Sequence, residues 1–388
     1  MNETQIKRVA LFLPLGMDLG REIANGVLDF SRENAHWTVV LVRPPGNLTD
    51  LSPTRDRFEG IIGFFSAGMD FRTLKGVAPH MVGVSNAGFD SPVPRVINDD
   101  PRAGELVAEY FLKRGFRHFC YAGYDAFRYA CERGEGFRAR LREENLEATL
   151  VDLHSIDLSK GHGETRDLLL SLPRPMAVFV ENDHMAVKLL RRAHDAGLQI
   201  PGDLAFMGVD NERISCAMSV VPLSSVALAG HALGVAAARK LDALMNGRDD
   251  GVREERVPPL GIVSRASSDT LAVSDPLLKR VFAYVREHMH LEIGVEDMAG
   301  AVKASRRTLE RRFMGEQGLT PFEALNMMRV RRAEELLQNP SLSVEEVAMR
   351  TGFSDARTLR VHFKKHTGKT PTSYRQSLLG HFPSADGQ

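Results

Sequence analysis

Along roughly the first 270 residues, short apolar runs alternate with stretches in which apolar residues recur every three or four positions. The run 9–13 (VALFL) is followed by 20–34, where Ile23, Val27 and Phe30 share one helical face. The same reading predicts strands over 38–42, 60–65, 80–84, 118–122, 149–153, 177–180 and 205–209, with a brief edge-like piece at 95–98. Helices are predicted over 103–115, 134–144, 163–172 and 183–196. Strands alternating with helices imply parallel sheets covered on both faces. Two runs of β-α units, each four or five strands long, point to two similar Rossmann-like lobes rather than one wide sheet.

Beyond residue 269 the strand pattern stops. A small polar linker over 269–275 ends in Asp275-Pro276, an N-cap followed by proline, and an amphipathic helix is predicted over 276–290. The sequence then repeats. VEDMAGAVKASRRTLERRF (295–313) aligns with VEEVAMRTGFSDARTLRVHF (344–363), and Phe313, Gly318, Thr320 and Pro321 recur fifty residues later as Phe363, Gly368, Thr370 and Pro371. Each copy reads as a short helix, a tight turn and a second helix, and a long helix over 321–338 joins them. The second helices carry Ser305, Arg306, Arg307, Glu310 and Arg311 in one copy and Ser354, Asp355, Arg357, Thr358 and Arg360 in the other. Arginine on such a face forks onto guanine or grips phosphate, and Lys364 and Lys365 fit phosphate contacts.

Charge sharpens this picture. The whole chain of 388 residues balances 50 Lys+Arg against 50 Asp+Glu, which by itself argues against a nucleic-acid partner. Counted by region the balance is a cancellation. Residues 276–388 hold 18 Lys+Arg and 13 Asp+Glu, a net of +5, so the remainder carries −5. The expected partner of the last third is double-stranded DNA. Three cysteines with no C-x-x-C spacing exclude a disulfide framework or zinc ribbon and suit a reducing cytoplasm. No apolar run is long enough for a membrane span, and the start reads as a buried strand rather than a signal peptide. Neither a phosphate-binding glycine loop nor a nucleophile-base pattern appears, and His288-Met289-His290 has no third ligand. No enzyme activity, cofactor or metal is expected.

Open α/β sheets bind ligands beyond the carboxyl ends of their strands. Those positions hold Asp18, Phe65, Asn86, Arg133, Asn182, Asp183, Asp210 and Asn211. Asp, Asn and Arg supply the rigid donors and acceptors that a polyol needs, and Phe64, Phe65 and Phe127 offer rings to its CH face. Asn182 and Asp183 serve equally well as helix N-caps, and the choice stays open at this level. Arg133, at the head of the predicted helix 134–144, opposes the helix dipole there, which favours a binding role.

The stretches ERGEGFRARL, VENDHMA, IPGDLAFMGVDNE and PLSSV, in that order, resemble the sugar-binding core of LacI-type repressors and periplasmic sugar-binding proteins over about residues 5–270. In that family the binding residues are the Arg of the first stretch, the Asn of the ND pair and the Asp of G-x-D. The resemblance implies Arg133, Asn182 and Asp210, with Asp183 and Asn211 as neighbours. Asp18, Phe65 and Asn86 rest on position alone. LacI-type repressors begin with a helix-turn-helix, whereas this chain begins almost at once with its first strand, so the sensor is expected to report to the C-terminal region.

There, SRRTLERRF, GLTPFEAL, RVRRAEELL, LSVEEVAMRTGFSD and HFKKHTGKTPTSYR resemble the AraC/XylS-type DNA-binding domain. Leu359 stands where an aromatic is usual. In that family both second helices enter successive major grooves, roughly 34 Å apart. A LacI-type sensor followed by an AraC-type domain is similar to the bacterial xylose-operon regulators. That likeness implies a sugar effector, in particular a pentose such as xylose; a non-sugar metabolite is the alternative. The expected organisation is a two-lobed, periplasmic-binding-protein-like α/β sensor (1–270), a linker (271–275), an all-α domain with two helix-turn-helix units (276–380) and a tail (381–388). The expected assembly is a homodimer, with RNA polymerase as a further partner and no membrane.

Overall fold

The computed structural model describes residues 6–42, 57–65, 69, 71–153, 163–248, 250–273, 275–337 and 339–379. The tail 381–388 lies outside them.

Two six-stranded sheets form the first two thirds. In the first lobe the order is β11(Glu254–Val257), β5(Arg95–Asn98), β4(His80–Gly83), β3(Gly60–Gly63), β1(Arg8–Phe12), β2(Thr38–Leu41), and every pairing is parallel. In the second it is β12(Gly261–Val263), β10(Ser224–Ala227), β9(Leu204–Val209), β8(Met176–Val180), β6(His118–Gly123), β7(Ala148–Asp152), parallel except for the β10–β12 pair. The strand at 95–98 is not an edge. The chain returns from the second lobe at 254–257 and pairs outside it, Glu254 opposite Arg95. The run EERV is too polar to announce itself as a strand, because three of its four residues are charged, two of them turned to partners in the neighbouring lobe.

The chain crosses between the lobes three times. After β5 it enters α3(Asp100–Leu112), which packs on α4(Arg128–Arg142) of the second lobe. After β10 it enters α8(Gly230–Met245), which packs on α1(Asp18–Phe30) of the first. The third crossing joins β11 to β12.

Both helix pairs meet backbone to backbone. A Cβ on Gly104 would lie 2.0 Å from the Arg133 carbonyl oxygen, and one on Gly136 would lie 2.1 Å from that of Pro101. No side chain fits there, so α3 and α4 are drawn together at the turn that carries Arg133. α4 begins six residues before the predicted 134. Arg133 therefore sits inside the helix, and the dipole argument for it falls away; its partners, described below, replace that argument.

The C-terminal region is all-α: α9(Pro276–His288), α10(Val295–Ala301), α11(Arg306–Gln317), α12(Pro321–Leu336), α13(Val344–Arg350), α14(Ala356–Thr367) and α15(Pro371–Leu379). It has two small cores. Phe282, Met298, Leu309 and Phe313 fill the first; Val347, Phe353, Leu359 and Phe363 fill the second. The joining helix α12 serves both, giving Leu325 and Met328 to one and Val330 and Ala333 to the other. Leu359 is fully buried, so the missing aromatic is a packing change within that core.

The segment read as a polar linker is largely interior. Ser267, Ser268, Asp269 and Thr270 are buried, and Leu271 and Val273 join the first core of the C-terminal region. Among the described residues no helix is long and apolar enough to cross a membrane.

Candidate ligand cleft and nucleic-acid interface

A cavity of about 560 Å³ opens between the two lobes, at the carboxyl ends of their strands. The first lobe lines it with Phe64, Asn86 and Asn98. From the second-lobe side come Asp100, Phe127, Tyr129, Arg133, Asn182 and Asp210.

Arg133 organises the floor. Its Nε donates to Asp100 Oδ1 at 2.7 Å and its Nη1 to the Glu181 carbonyl at 2.5 Å, while Nη2 lies 3.6 Å from Asp210 Oδ1. The guanidinium also lies 4.9 Å from the Tyr129 ring centre. Burial alone would lower its pKa, but Asp100 and Asp210 outweigh burial and hold it above the ordinary value. Burial pushes the Asp100 carboxyl up, against the pull of Arg133 and Asn86. Burial likewise lifts Asp210 above the carboxylate range; Arg133 opposes that, and Asp183, Asp100 and Glu212 add to it. Two carboxyls and one guanidinium thus share one buried site.

Asp210 and Asn211 have φ of 108° and 51°. Non-glycine residues held at positive φ cost about 1–3 kcal/mol each, and such strain clusters at ligand sites. Phe127 and Tyr129 stack at 5.4 Å, 9° from parallel, forming an aromatic wall beside these polar groups.

The structure divides the sequence-derived residues. Arg133, Asn182, Asp210 and Asn86 line the cavity; Asp183, Asn211, Asp18 and Phe65 do not. Asn182 proves to be the N-cap of α6(Asp183–Asp195), its Oδ1 accepting from Met185 N at 2.9 Å. Asp183 is completely buried and accepts from Glu212 N at 2.8 Å and Cys216 Sγ at 3.2 Å, which fixes the start of α7(Arg213–Met218). Asn211 Oδ1 is taken by Arg265 Nη2 at 2.7 Å. Phe65 points into the outer core of the first lobe, 5.5 Å from Phe71, because consecutive residues leaving a strand face opposite ways; its neighbour Phe64 faces the cleft.

Asp18 fastens the lobes together. Its backbone N–H donates to Glu212 Oε1 at 2.6 Å, and its Oδ2 accepts from Arg213 N at 2.9 Å. Asn98, Asp100, Tyr129 and Glu212 escaped the sequence reading. The run Asn98-Asp99-Asp100-Pro101, a cap and a proline directly after a strand, was the available signal for the first two.

The second candidate surface is formed by α11 and α14. Ser305 and Asp355 are their N-caps, accepting from Thr308 N at 3.1 Å and Thr358 N at 2.7 Å. Arg306, Arg307 and Arg311 are exposed on α11, with Glu310 half-buried; Arg357, Arg360, Lys364 and Lys365 are exposed on α14, with Thr358 half-buried and Ser354 exposed before it. Arg306 pairs with Glu296 and Glu310, Arg360 with Glu345 at 3.3 Å, and Lys365 with Glu323 at 3.8 Å. Arg307, Arg311, Arg357 and Lys364 have no ion pair among the described residues. Two cationic helices, each backed by its own core, are thus presented outward from one joining helix.

A two-lobed sensor with a cleft at its hinge, carried on the same chain as a pair of basic helix-turn-helix units, defines a ligand-responsive DNA-binding transcription regulator. Residues 108–268 match the periplasmic binding protein-like domain and residues 298–377 a helix-turn-helix domain. The chain resembles AraC/XylS-type regulators that carry a periplasmic-binding-protein-like sensor, and it is similar along nearly its whole length to the xylose operon regulatory protein of Escherichia coli strain K12. That identity is 26% over 388 residues, 96% of this chain and 97% of the relative. The xylose operon regulatory protein of Haemophilus influenzae is 25% identical over 295 residues, 74% of this chain and 76% of its own. Among solved structures, a xylose-binding transcription activator, xylR, superposes with a TM-score of 0.70 at 24% identity, covering 96% of this chain and 98% of that one.

Proposed function

We propose that this chain is a sugar-responsive transcription regulator whose effector is a small monosaccharide, a pentose such as xylose being the leading candidate. The carrying observation is the Arg133–Asp100–Asp210 constellation, with Asn182 and Asn86 at its rim and the Phe127–Tyr129 stack beside it. A polyol needs alternating donors and acceptors fixed in space and a flat apolar wall for its CH face. The names of the relatives point to the same ligand class.

The sugar binds the closed arrangement better than the open one and so shifts the population toward closure. α3 offers a route from the cleft to the DNA-binding region. It starts at Asp100 in the cleft. Just past its other end the Arg114 carbonyl accepts from Ala272 N at 2.9 Å, and the Tyr110 hydroxyl lies 2.8 Å from Ser268 Oγ. Asp269 then faces Arg331 of α12 at 3.5 Å, and Lys279 of α9 reaches back to Asp203 at 3.1 Å. Movement of α3 relative to the first lobe is therefore passed to the helices that carry the recognition surfaces. In a cytoplasmic homodimer this re-spaces two DNA-binding regions on one operator, with RNA polymerase as a downstream partner.

Calorimetric titration of the full chain with D-xylose, L-arabinose, D-ribose, D-glucose and D-galactose tests the effector. One of them is expected to bind, and Asp210→Ala to lose that binding. Affinity unchanged in Asp210→Ala would remove the site, and binding only to a nucleobase or phosphorylated metabolite would replace the sugar.

A further inference from the structure

Asn86 sits in the loop after β4 and is 6% exposed. Its Nδ2 donates to two carboxylates across the cleft, Asp100 Oδ2 and Glu132 Oε2, each at 2.9 Å. Both amide hydrogens are thus committed, and the orientation of the amide follows from chemistry, since an ionised carboxylate only accepts. Its remaining polar atom, Oδ1, is buried without a hydrogen-bond partner, on a side chain that lines the ligand cavity. Asn98 repeats the situation: it lines the cavity and its Oδ1 is buried and unpaired. A buried acceptor left unmade is costly, so two of them at one cavity call for donors from whatever fills it.

Glu132 is itself gripped. Arg256 of the first lobe meets it with a fork, Nη1 to Oε2 at 2.9 Å and Nη2 to Oε1 at 2.8 Å, and Arg128 Nε reaches Oε1 at 2.8 Å. Arg128 in turn forks onto Glu254 at 2.7 and 3.0 Å, which also receives Arg95 at 2.7 Å and Arg256 at 2.9 Å. Arg128 and Glu132 stand on α4 of the second lobe, while Arg95, Glu254 and Arg256 stand on β5 and β11 of the first. Beside them the Asn86 and Ala87 carbonyls accept from Tyr129 N at 3.0 Å and Arg128 N at 3.1 Å. This clamp joins α4 of the second lobe to β5 and β11 of the first.

We infer that Asn86, with Asn98 beside it, reads the ligand's hydroxyl groups as a hydrogen-bond acceptor, and that Glu132, held by Arg256, is the positioning residue that turns the Asn86 amide toward the ligand when the lobes close. Closure and hydroxyl recognition are then one event. In the open form Glu132 moves away with the second lobe, the amide is released and the reading is lost. The inference rests on the sugar-binding reading above and adds to it which groups select hydroxyl position.

The test is a cycle between side chain and ligand hydroxyl. The best binder among the five sugars is titrated into full-length wild type, Asn86→Ala and Glu132→Ala, together with its monodeoxy analogues; circular dichroism confirms that each variant folds. In the wild type, removal of the hydroxyl that reaches Asn86 is expected to weaken binding roughly tenfold. In Asn86→Ala the parent sugar and that analogue should bind within about twofold of each other. Glu132→Ala should shrink the same penalty while leaving those for other hydroxyls in place, which a general loss of stability would not do. Should Asn86→Ala fail to fold, Asn86→Ser, which keeps a polar but shorter side chain, carries the same expectation. If every deoxy penalty in the folded Asn86 variant equals that of the wild type, the inference is overturned and the sugar reading stands. If the wild type binds none of the five sugars, both fall.

Discussion

The cleft and the recognition helices use the same residue types in opposite ways. In the cleft, Arg133 is almost fully buried and spends its guanidinium on Asp100, Asp210 and the Glu181 carbonyl. On α11 and α14, Arg307, Arg311 and Arg357 are exposed and hold no ion pair among the described residues. A neutral, hydroxyl-bearing ligand is recognised by groups whose charges are already compensated internally, since an unpaired buried charge would cost more than a hydroxyl returns. A polyanion is recognised by cations left uncommitted, because displacement of counterions supplies the affinity. The arginine in ERGEGF and the arginines in SRRTLERRF look alike as letters; burial separates them.

The largest effect should come from breaking the buried arrangement. Arg133→Met leaves Asp100 and Asp210 without their cation and is expected to destabilise the chain by about 3–5 kcal/mol in urea unfolding, and to abolish sugar binding. A variant that unfolds like the wild type would show that the internal compensation is not what holds this site.

On the exposed side, Arg307→Ala or Arg357→Ala should leave unfolding unchanged. Each should weaken binding to a duplex selected by the full chain roughly tenfold to a hundredfold, and reduce the slope of log affinity against log salt by about 1 if the lost contact is to phosphate. Loss of fold without a change in DNA affinity would reverse the comparison.

The clamp between the lobes lies between these extremes, charged but only partly buried. Hydrogen bonding from Arg128 holds the Glu254 carboxyl down to about 2, against an ordinary 4.5. Because the folded value is depressed, its contribution is complete above pH 4.5 and is lost as pH falls through about 2. The difference in melting temperature between wild type and Glu254→Gln should follow that course, modest in size because the group stays partly exposed to solvent. A difference that grows on acidification would contradict it.

Much of the fold was legible because it is written in local pattern. The alternation of apolar runs with amphipathic stretches predicts nine strands, all of them present, and the fifty-residue offset from Phe313 to Phe363 exposes the doubled unit. β11 was missed because Glu254 and Arg256 answer to charges on α4, so its polar character reflects an interface rather than exposure. Asp100 was missed because an Asp before Pro reads as a helix start, which it also is. Asp183 and Asn182 could not be told apart from the sequence, since both suit an N-cap; only the route of α7 past Asp183 decides that it faces inward.

The sequence by itself determined the periodicities, the duplicated helical unit and the segregation of charge, because each depends on residues close together in the chain. Which aspartate meets Arg133, which phenylalanine faces the cleft and which arginines stay free for DNA were decided by tertiary structure. Those outcomes depend on helices brought into backbone contact at Gly104 and Gly136, and on a strand contributed from more than 150 residues away to pair with Arg95.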